Sequence, residues 1–219
     1  GELPETDEGA IVSIADKTDT ICGFFSVDLI PTGTADPYAL RRQALGIINI
    51  LMKKNYPVAL DELVDQSLAI LGNCLKKTRE ETRQQVLDFF TNRYENQLIS
   101  QGHPYDVVDA VLASGLSDLP RSYAIVEALE AFKSHPDFEP LVIAFKRAGN
   151  IIKDFKNGAV DPALFETEAE KNLHNAYTAV SETVLAHIDR GDFSAALSAS
   201  AQLRKPIDAF FDSVLVMAE

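Results

Sequence analysis

The stretch TREETRQQVLDFFTNRYENQLISQG, residues 78–102, contains both the start signal and the stop signal of a long helix. Thr78 followed three residues later by Glu81 is typical of a capping box, in which each side chain accepts a hydrogen bond from the other residue's backbone N–H. Gly102 stands where a glycine commonly ends a helix. The stretch therefore predicts one helix from Thr78 to about Gln101.

The rest of the chain repeats this helical pattern. Apolar residues recur at helical spacing almost throughout, whereas the alternation typical of strands is scarce. In the first predicted helix, over residues 8–25, Ile11 and Ile14 are expected on the buried face. Pro206 interrupts the last apolar segment and predicts a kink or a break. We expect an all-α fold of two packed helical bundles, with a boundary near residues 114–119. Further helices are predicted over residues 36–54, 61–75, 138–155 and 163–190.

The composition limits the classes of partner. The chain has 33 acidic and 20 basic residues and a formal net charge of −13. This charge repels nucleic acids and anionic membranes, so RNA contacts must come from local basic clusters. The apolar runs are much shorter than the roughly 20 residues that cross a bilayer. Cys22 and Cys74 form no CxxC pair and suit buried thiols in a reducing compartment. We expect a soluble cytoplasmic protein without membrane or DNA partners.

Several catalytic signatures are absent. The sequence has no GxGxxG, GxxxxGK[ST], HExxH or GxSxG motif, and its four histidines lack the usual spacing of metal ligands. We therefore predict no catalytic residue, no metal site and no cofactor within these 219 residues.

The stretch PTGTADPYALRRQALGIINIL, residues 31–51, has two interpretations. A helix N-terminus preceded by Thr32 and Gly33 favours an anion, and Arg41 and Arg42 follow one turn later. In the alternative, Asp36 is the N-cap, Pro37 is the first helical residue, and the loop is a rigid connector. The residues alone do not decide between a phosphate site and a structural cap.

Asp16 also has two interpretations. It lies three residues before Asp19, so both carboxylates share one face of the first predicted helix. Metal-dependent phosphohydrolases of the HD superfamily use an aspartate in a similar helix, but their histidine and histidine-aspartate ligands are missing here. Asp16 is then a vestigial HD-type position, and the alternative is a structural aspartate that caps or pairs with neighbouring chain.

Three motifs resemble the beta subunit of bacterial glycyl-tRNA synthetase. The first is SIADKTDTICGFFSVDLIPTGTADPYALRRQALGIINIL, residues 13–51, in which Thr34 replaces the more usual serine. The second is FKRAGNIIKD, residues 145–154, and the third is LRKPIDAFFDSVLVMAE, residues 203–219. Their order and spacing extend over almost the whole chain.

The resemblance implies part of a glycine-tRNA ligase that uses ATP to attach glycine to tRNA(Gly). In that family two alpha and two beta subunits assemble, and the adenylation site is expected on the alpha subunit. Residues 1–116 would form the C-terminal part of an HD-like helical domain. Residues 117–219 would form an anticodon-binding helical bundle like that of arginyl-tRNA synthetase, without its last helix. The fragment itself would be catalytically inactive.

The resemblance also implies candidate tRNA contacts. Lys146, Arg147 and Asn150 would lie on or near a face that meets the anticodon arm, while Arg41 and Arg42 would contact tRNA phosphate or pair with an internal acid. A helical scaffold for subunit assembly, without direct RNA contact, is the first alternative, and the acidic balance favours it. A degenerate HD phosphohydrolase is the second.

Overall fold

The predicted long helix is the central element of the first half of the chain. In the computed structural model, which describes residues 2–72, 75–116, 118–153 and 158–214, it is α4 (Arg79–Ser100). The Thr78–Glu81 capping box is formed in both directions, which confirms the predicted start. Its inward stripe runs at four-residue spacing and buries Thr82, Val86, Phe90, Tyr94 and Leu98.

The fold is all-α, as predicted. Within the described ranges the β-type pairing consists of two isolated bridges, Thr32 with Ala35 and Ala59 with Asp118. The 3-10 segments Pro162–Leu164 and Ala201–Leu203 accompany the α-helices. The helices other than α4 are α1 (Asp7–Ser26), α2 (Leu40–Lys54), α3 (Leu60–Leu71), α5 (Tyr105–Leu112), α6 (Leu119–Phe132), α7 (Phe138–Ile151), α8 (Glu168–Asp189), α9 (Phe193–Ser200) and α10 (Arg204–Ser213).

The chain divides into two compact units, Gly1–Val126 and Glu127–Glu219, here called unit 1 and unit 2. The division falls inside α6, after the loop near residues 114–119 in which the sequence predicted it. In unit 1, α1 packs against α2, α3 and α4. In unit 2, α8 packs against α9 and α10, and α7 packs against α10.

The core of unit 1 encloses a thiol. Cys22 on α1 is buried, and burial raises the pKa of its thiol to about 11, so the thiol remains protonated at neutral pH. Cys74 lies outside the described residues. Ile14 is buried, as predicted, whereas Ile11 is 61% exposed, because the buried stripe of α1 includes Ala10 in place of Ile11.

Several helix boundaries differ from the predictions for local reasons. Helix α3 ends at Leu71, short of residue 75, because Gly72 adopts a positive φ of 52°. Helix α8 begins at Glu168, where Thr167 and Glu170 form a second capping box. Helix α7 ends at Ile151, and residue 155, its predicted end, lies outside the described residues.

The break predicted around Pro206 is present just before that residue. The chain leaves α9, passes through the 3-10 segment Ala201–Leu203 and enters α10 at Arg204. Pro206 is therefore the third residue of α10. Proline is tolerated in the first turn of a helix because the N–H groups there have no intrahelical acceptor.

Candidate nucleic-acid interface

The loop before α2 is a tight turn. The Ala35 backbone N–H donates to the Thr32 carbonyl oxygen at 2.9 Å, and Gly33 has a φ of 51°. This left-handed conformation favours glycine, because a side chain there is strained. The turn directs the carbonyl oxygens of Gly33 and Ala35 toward the side chain of Arg41, which binds both of them.

Asp36 occupies the N-terminus of α2. Its Oδ1 accepts from the Leu40 backbone N–H at 2.8 Å, and its Oδ2 accepts from the Arg41 N–H at 3.0 Å. The helix begins at Leu40 rather than at residue 36, because Ala39 adopts a left-handed conformation with a φ of 54°. The chain's own carboxylate therefore fills the anion position at this terminus, which favours the structural interpretation of the loop.

Arg41 and Arg42 have different environments. Arg41 Nη2 donates to the Gly33 carbonyl oxygen at 2.8 Å, and Nη1 donates to that of Ala35 at 3.3 Å. The Arg41 guanidinium thus braces the loop instead of pairing with an acid. Arg42 is exposed, and its guanidinium makes no hydrogen bond or ion pair with the described part of the chain. Of the two, Arg42 is the more available to a partner.

The sequence did not point to Arg93 on α4, which lies close enough to Arg41 to feel its charge. Burial, and then the positive charge of Arg41, lower the pKa of Arg93. Its guanidinium lies 5.3 Å from the centroid of the Phe89 ring, and its Nε is buried without a hydrogen-bond acceptor among the described residues. The two arginines are 52 positions apart in the sequence (93 minus 41), so only the packing of unit 1 shows their proximity.

In unit 2, the three predicted contact residues lie on α7. Lys146, Arg147 and Asn150 are all exposed, whereas Leu141 and Ala144 form the buried side of this helix. Arg147 packs its guanidinium 4.2 Å from the centroid of the Phe211 ring, which partly immobilises it. Lys146 and Asn150 make no side-chain hydrogen bond with the described residues. Of the three predicted contact residues on α7, Lys146 and Asn150 therefore have side chains that are free to bind a ligand.

Two further side chains on or beside α7 belong to this exposed surface. Phe145 is 45% exposed and directly precedes Lys146, and Lys153 is exposed just after the helix. Glu139 is the acidic residue of α7, so this helix carries more positive than negative charge although the whole chain carries −13. The sequence shows that Phe145 stands next to two cations, but only the burial of Leu141 and Ala144 shows that Phe145 lies on the exposed side of α7.

Asp16 lies exposed on α1. Its carboxylate makes no hydrogen bond or ion pair with residues that the structure describes, and its carbonyl oxygen accepts from the Thr20 hydroxyl at 2.8 Å. The same described ranges contain no group of three or more His, Cys, Asp or Glu side chains that could hold a metal ion. No helix in these ranges is long and apolar enough to cross a membrane.

The comparison with protein families gives these surfaces a context. The family model of the glycyl-tRNA synthetase beta subunit matches residues 1–113, more than half of the chain. The chain belongs to this family. The match lies within unit 1, so the α2 loop, Arg42 and Arg93 fall within the part that defines the family.

Curated relatives extend the similarity to unit 2. The chain is 58% identical over its full length to the glycine–tRNA ligase beta subunit of Syntrophus aciditrophicus, and covers 32% of that protein. It is 51% identical to the beta subunit of Geobacter metallireducens and 53% identical to that of Geotalea uraniireducens, again over the whole chain and 32% of each relative. The chain thus spans about a third of the length of the curated relatives it matches.

Proposed function

We propose that this chain is the tRNA-binding part of a glycyl-tRNA synthetase beta subunit, and that it supports the ATP-dependent attachment of glycine to tRNA(Gly). The observation that carries the proposal is the exposed cationic face of α7, with Lys146 and Asn150 free of partners among the described side chains, in a chain of this family. Lysine and arginine contacts to phosphates fix the position of an RNA, and base contacts then provide specificity.

The catalytic parts of this proposal lie outside the chain. ATP binding and adenylation belong to a separate alpha subunit, in a complex of two alpha and two beta subunits located in the cytoplasm. Unit 2 is the anticodon-binding bundle, similar to that of arginyl-tRNA synthetase, and unit 1 is the end of an HD-like domain. The contribution of these 219 residues is to hold and orient tRNA while the alpha subunit performs the chemistry.

In unit 1, Arg42 is the proposed phosphate contact. Arg41 supports it indirectly by holding the loop at residues 31–36, and its positive charge also adds to the local potential together with that of Arg93. A direct phosphate contact by Arg41 would use donors other than those bound to Gly33 and Ala35.

The experiment is a titration of full-length synthetase with tRNA(Gly) at several salt concentrations. Lys146→Glu with Arg147→Glu should weaken binding and glycylation, because contacts to phosphates are lost. Each lost contact should also reduce the slope of log K against log salt concentration by about 0.7 to 0.9. Lys205→Glu is the control for Lys146→Glu, since Lys205 is an exposed lysine elsewhere in unit 2 that, like Lys146, makes no ion pair with the described residues. Lys146→Glu alone serves as a second variant, because Arg147 also packs on Phe211.

Unchanged binding and glycylation in both α7 variants would show that this face of α7 does not recognise the anticodon arm. A second candidate function, a scaffold for subunit assembly, is favoured by the exposed apolar side chains Val142 and Ile143 on the same helix. In that case the α7 variants would change the sedimentation of the alpha–beta complex while leaving tRNA affinity intact.

A further inference from the structure

The described part of unit 2 does not require a glycine at position 149, in the last turns of α7. Apart from the backbone of its own helix and its two chain neighbours, no atom of the described residues lies within 4 Å of a Cβ added there, and its φ is not in the left-handed region. A glycine inside a helix destabilises it by roughly 0.5–1 kcal/mol relative to alanine. The described fold thus accepts a less stable helix at a position where alanine would fit.

The residues around Gly149 are exposed. Residues three and four positions away lie beside a helical residue on the same face. On the N-terminal side of Gly149 these are Phe145 and Lys146, both exposed, Phe145 by 45%. Ile152 and Lys153 follow directly after the last residue of α7 and are also exposed, Ile152 by 60%. We call Gly149 and these four residues the Gly149 patch. It places a ring and one cation beside a bare stretch of helix backbone, and a second cation in the turn after the helix.

We infer that the Gly149 patch is a stacking site for an unpaired RNA base, in which the base lies against Phe145 and over Gly149. This inference rests on the proposed function and specifies how the α7 face would read tRNA. Single-stranded RNA is recognised by splayed bases that stack on aromatic side chains while cations hold the backbone. Without a Cβ at position 149, a flat base can approach the helix closely.

The charges around the patch favour RNA over a protein helix as the occupant. Lys146 lies beside Gly149 on α7 and Lys153 follows the end of the helix, while α7 has a single acidic residue, Glu139, within a chain of net charge −13. The cations also offset the partial negative charge of the helix C-terminus, which would otherwise repel phosphate. A protein partner packed on Phe145 and Ile152 would have to cover both ammonium groups, which is costly without matching acids.

Gly149→Ala separates binding from stability. We expect the variant of the full-length synthetase to keep or raise its thermal stability and to bind tRNA(Gly) several-fold more weakly. Gly23→Ala is the matched control, because Gly23 on α1 is also helical and a Cβ added there would also meet no atom within 4 Å. That change should leave tRNA affinity as it is.

Phe145 provides the second test. Phe145→Ala should weaken tRNA(Gly) binding by roughly 5- to 150-fold, the usual range for losing one stacked base, and Phe145→Tyr should restore most of it. A hairpin RNA with the anticodon-arm sequence should bind more tightly than the same hairpin with abasic loop nucleotides. This difference should disappear in Phe145→Ala, because both hairpins offer the same phosphates.

The outcomes separate this inference from the proposed function. Wild-type affinity in Gly149→Ala and Phe145→Ala, combined with weaker binding in Lys146→Glu, would overturn the stacking site and keep the tRNA-binding role. Wild-type affinity in all three variants would overturn both. Reduced association with the alpha subunit at unchanged RNA affinity would identify the patch as a protein contact and overturn the stacking site.

Discussion

Unit 1 and unit 2 are both helical, but they build their cores from side chains of different size. The largest side chains that are less than 2% exposed all belong to unit 1, and Tyr94, Phe25 and Phe90 lead them. Among the described residues of unit 2, half of the buried apolar side chains are alanines. The buried apolar side chains of unit 2 are Ala128, Phe132, Leu141, Ala144, Val180, Ala196, Ala199 and Ile207.

The difference extends to the surface. Eight large apolar side chains are exposed in the described part of unit 2, which is the shorter unit, against seven in unit 1. Buried apolar area is the main source of stability, so unit 1 should be the more stable unit, and unit 2 keeps more apolar surface for partners. Recognition surfaces are commonly drawn from the less stable part of a protein. The eight in unit 2 are Val142, Ile143, Phe145, Ile152, Val160, Leu164, Tyr177 and Leu185.

The largest expected effect comes from removing a buried ring in each unit. Phe90→Ala should lower the free energy of unfolding by about 3–5 kcal/mol, because Phe90 is fully buried. Phe132→Ala should lower it by less than about 3 kcal/mol, since Phe132 borders an open groove of about 360 Å³ that already limits its packing. Urea unfolding of the chain, followed by circular dichroism and by hydrogen exchange in each unit, measures both. Equal losses would contradict the contrast between the two cores.

A smaller effect is expected from one buried hydroxyl in unit 1. Tyr94 Oη donates to the Leu119 carbonyl oxygen at 2.9 Å, and burial raises the pKa of Tyr94. Tyr94→Phe removes this hydrogen bond, but the Leu119 carbonyl begins α6 and keeps its helical backbone donor, so the change should cost about 0.5–1.5 kcal/mol. The amide protons at the start of α6 should then exchange faster, while those of α8 should not. Uniformly faster exchange would show that the two units unfold together.

The two capping boxes provide a matched pair across the units. Thr78→Ala and Thr167→Ala should each cost about 1 kcal/mol of helix stability. In unit 1 this loss should appear in global unfolding, because α4 is central there, and in unit 2 it should appear as fraying at the start of α8. Hydrogen exchange at the first turns of α4 and α8 distinguishes the two patterns.

The capping boxes also predict a dependence on pH. Hydrogen bonds from Thr78 lower the pKa of Glu81, and those from Thr167 lower the pKa of Glu170. A carboxyl whose pKa is lower in the folded state contributes stability above its unfolded pKa and loses it as the pH falls through the folded value. The difference in the free energy of unfolding between each Thr→Ala variant and the parent should therefore become smaller below about pH 4, near the ordinary glutamate pKa. A difference that stays constant down to about pH 2, below the ordinary range of glutamate, would exclude ionised glutamate as the partner.

The smallest effect is expected from the ion pairs. Arg83 Nε meets Asp65 Oδ1 at 3.0 Å in unit 1, and Arg204 Nη1 meets Asp137 Oδ1 at 2.8 Å in unit 2. All four side chains are partly exposed, so Asp65→Asn and Asp137→Asn should each cost less than about 1 kcal/mol. Thermal unfolding at low and high salt tests this, since screening should reduce the difference in unfolding temperature between each variant and the parent chain. A larger loss in Asp137→Asn would indicate that unit 2 depends on polar contacts in place of a large core.

The residues alone predicted the helices, because the signals for helices are local. Thr78, Glu81 and Gly102 defined α4 to within a residue or two, and the Thr167–Glu170 pair carries the same signal for α8. Two of the wrong boundaries each follow from a single backbone conformation, whereas the later start of α8 follows from its capping box. Ala39 at a φ of 54° delayed α2, and Gly72 at 52° shortened α3.

The candidate binding residues depended on the packing. The sequence determined which residues in the predicted helices are candidates to bind RNA. These are Arg41, Arg42, Lys146, Arg147 and Asn150. The tertiary structure decided that Arg41 is bound to its own loop, that Arg93 lies close to it, and that Phe145 and Gly149 face outward. Helix formation follows from bonds between residues four apart. The Arg41 contacts join residues only six and eight positions apart, but they depend on the turn conformation at Gly33, which has no helical periodicity. The proximity of Arg41 and Arg93 depends on the packing of residues far apart in the chain, which leaves no periodic trace in the sequence.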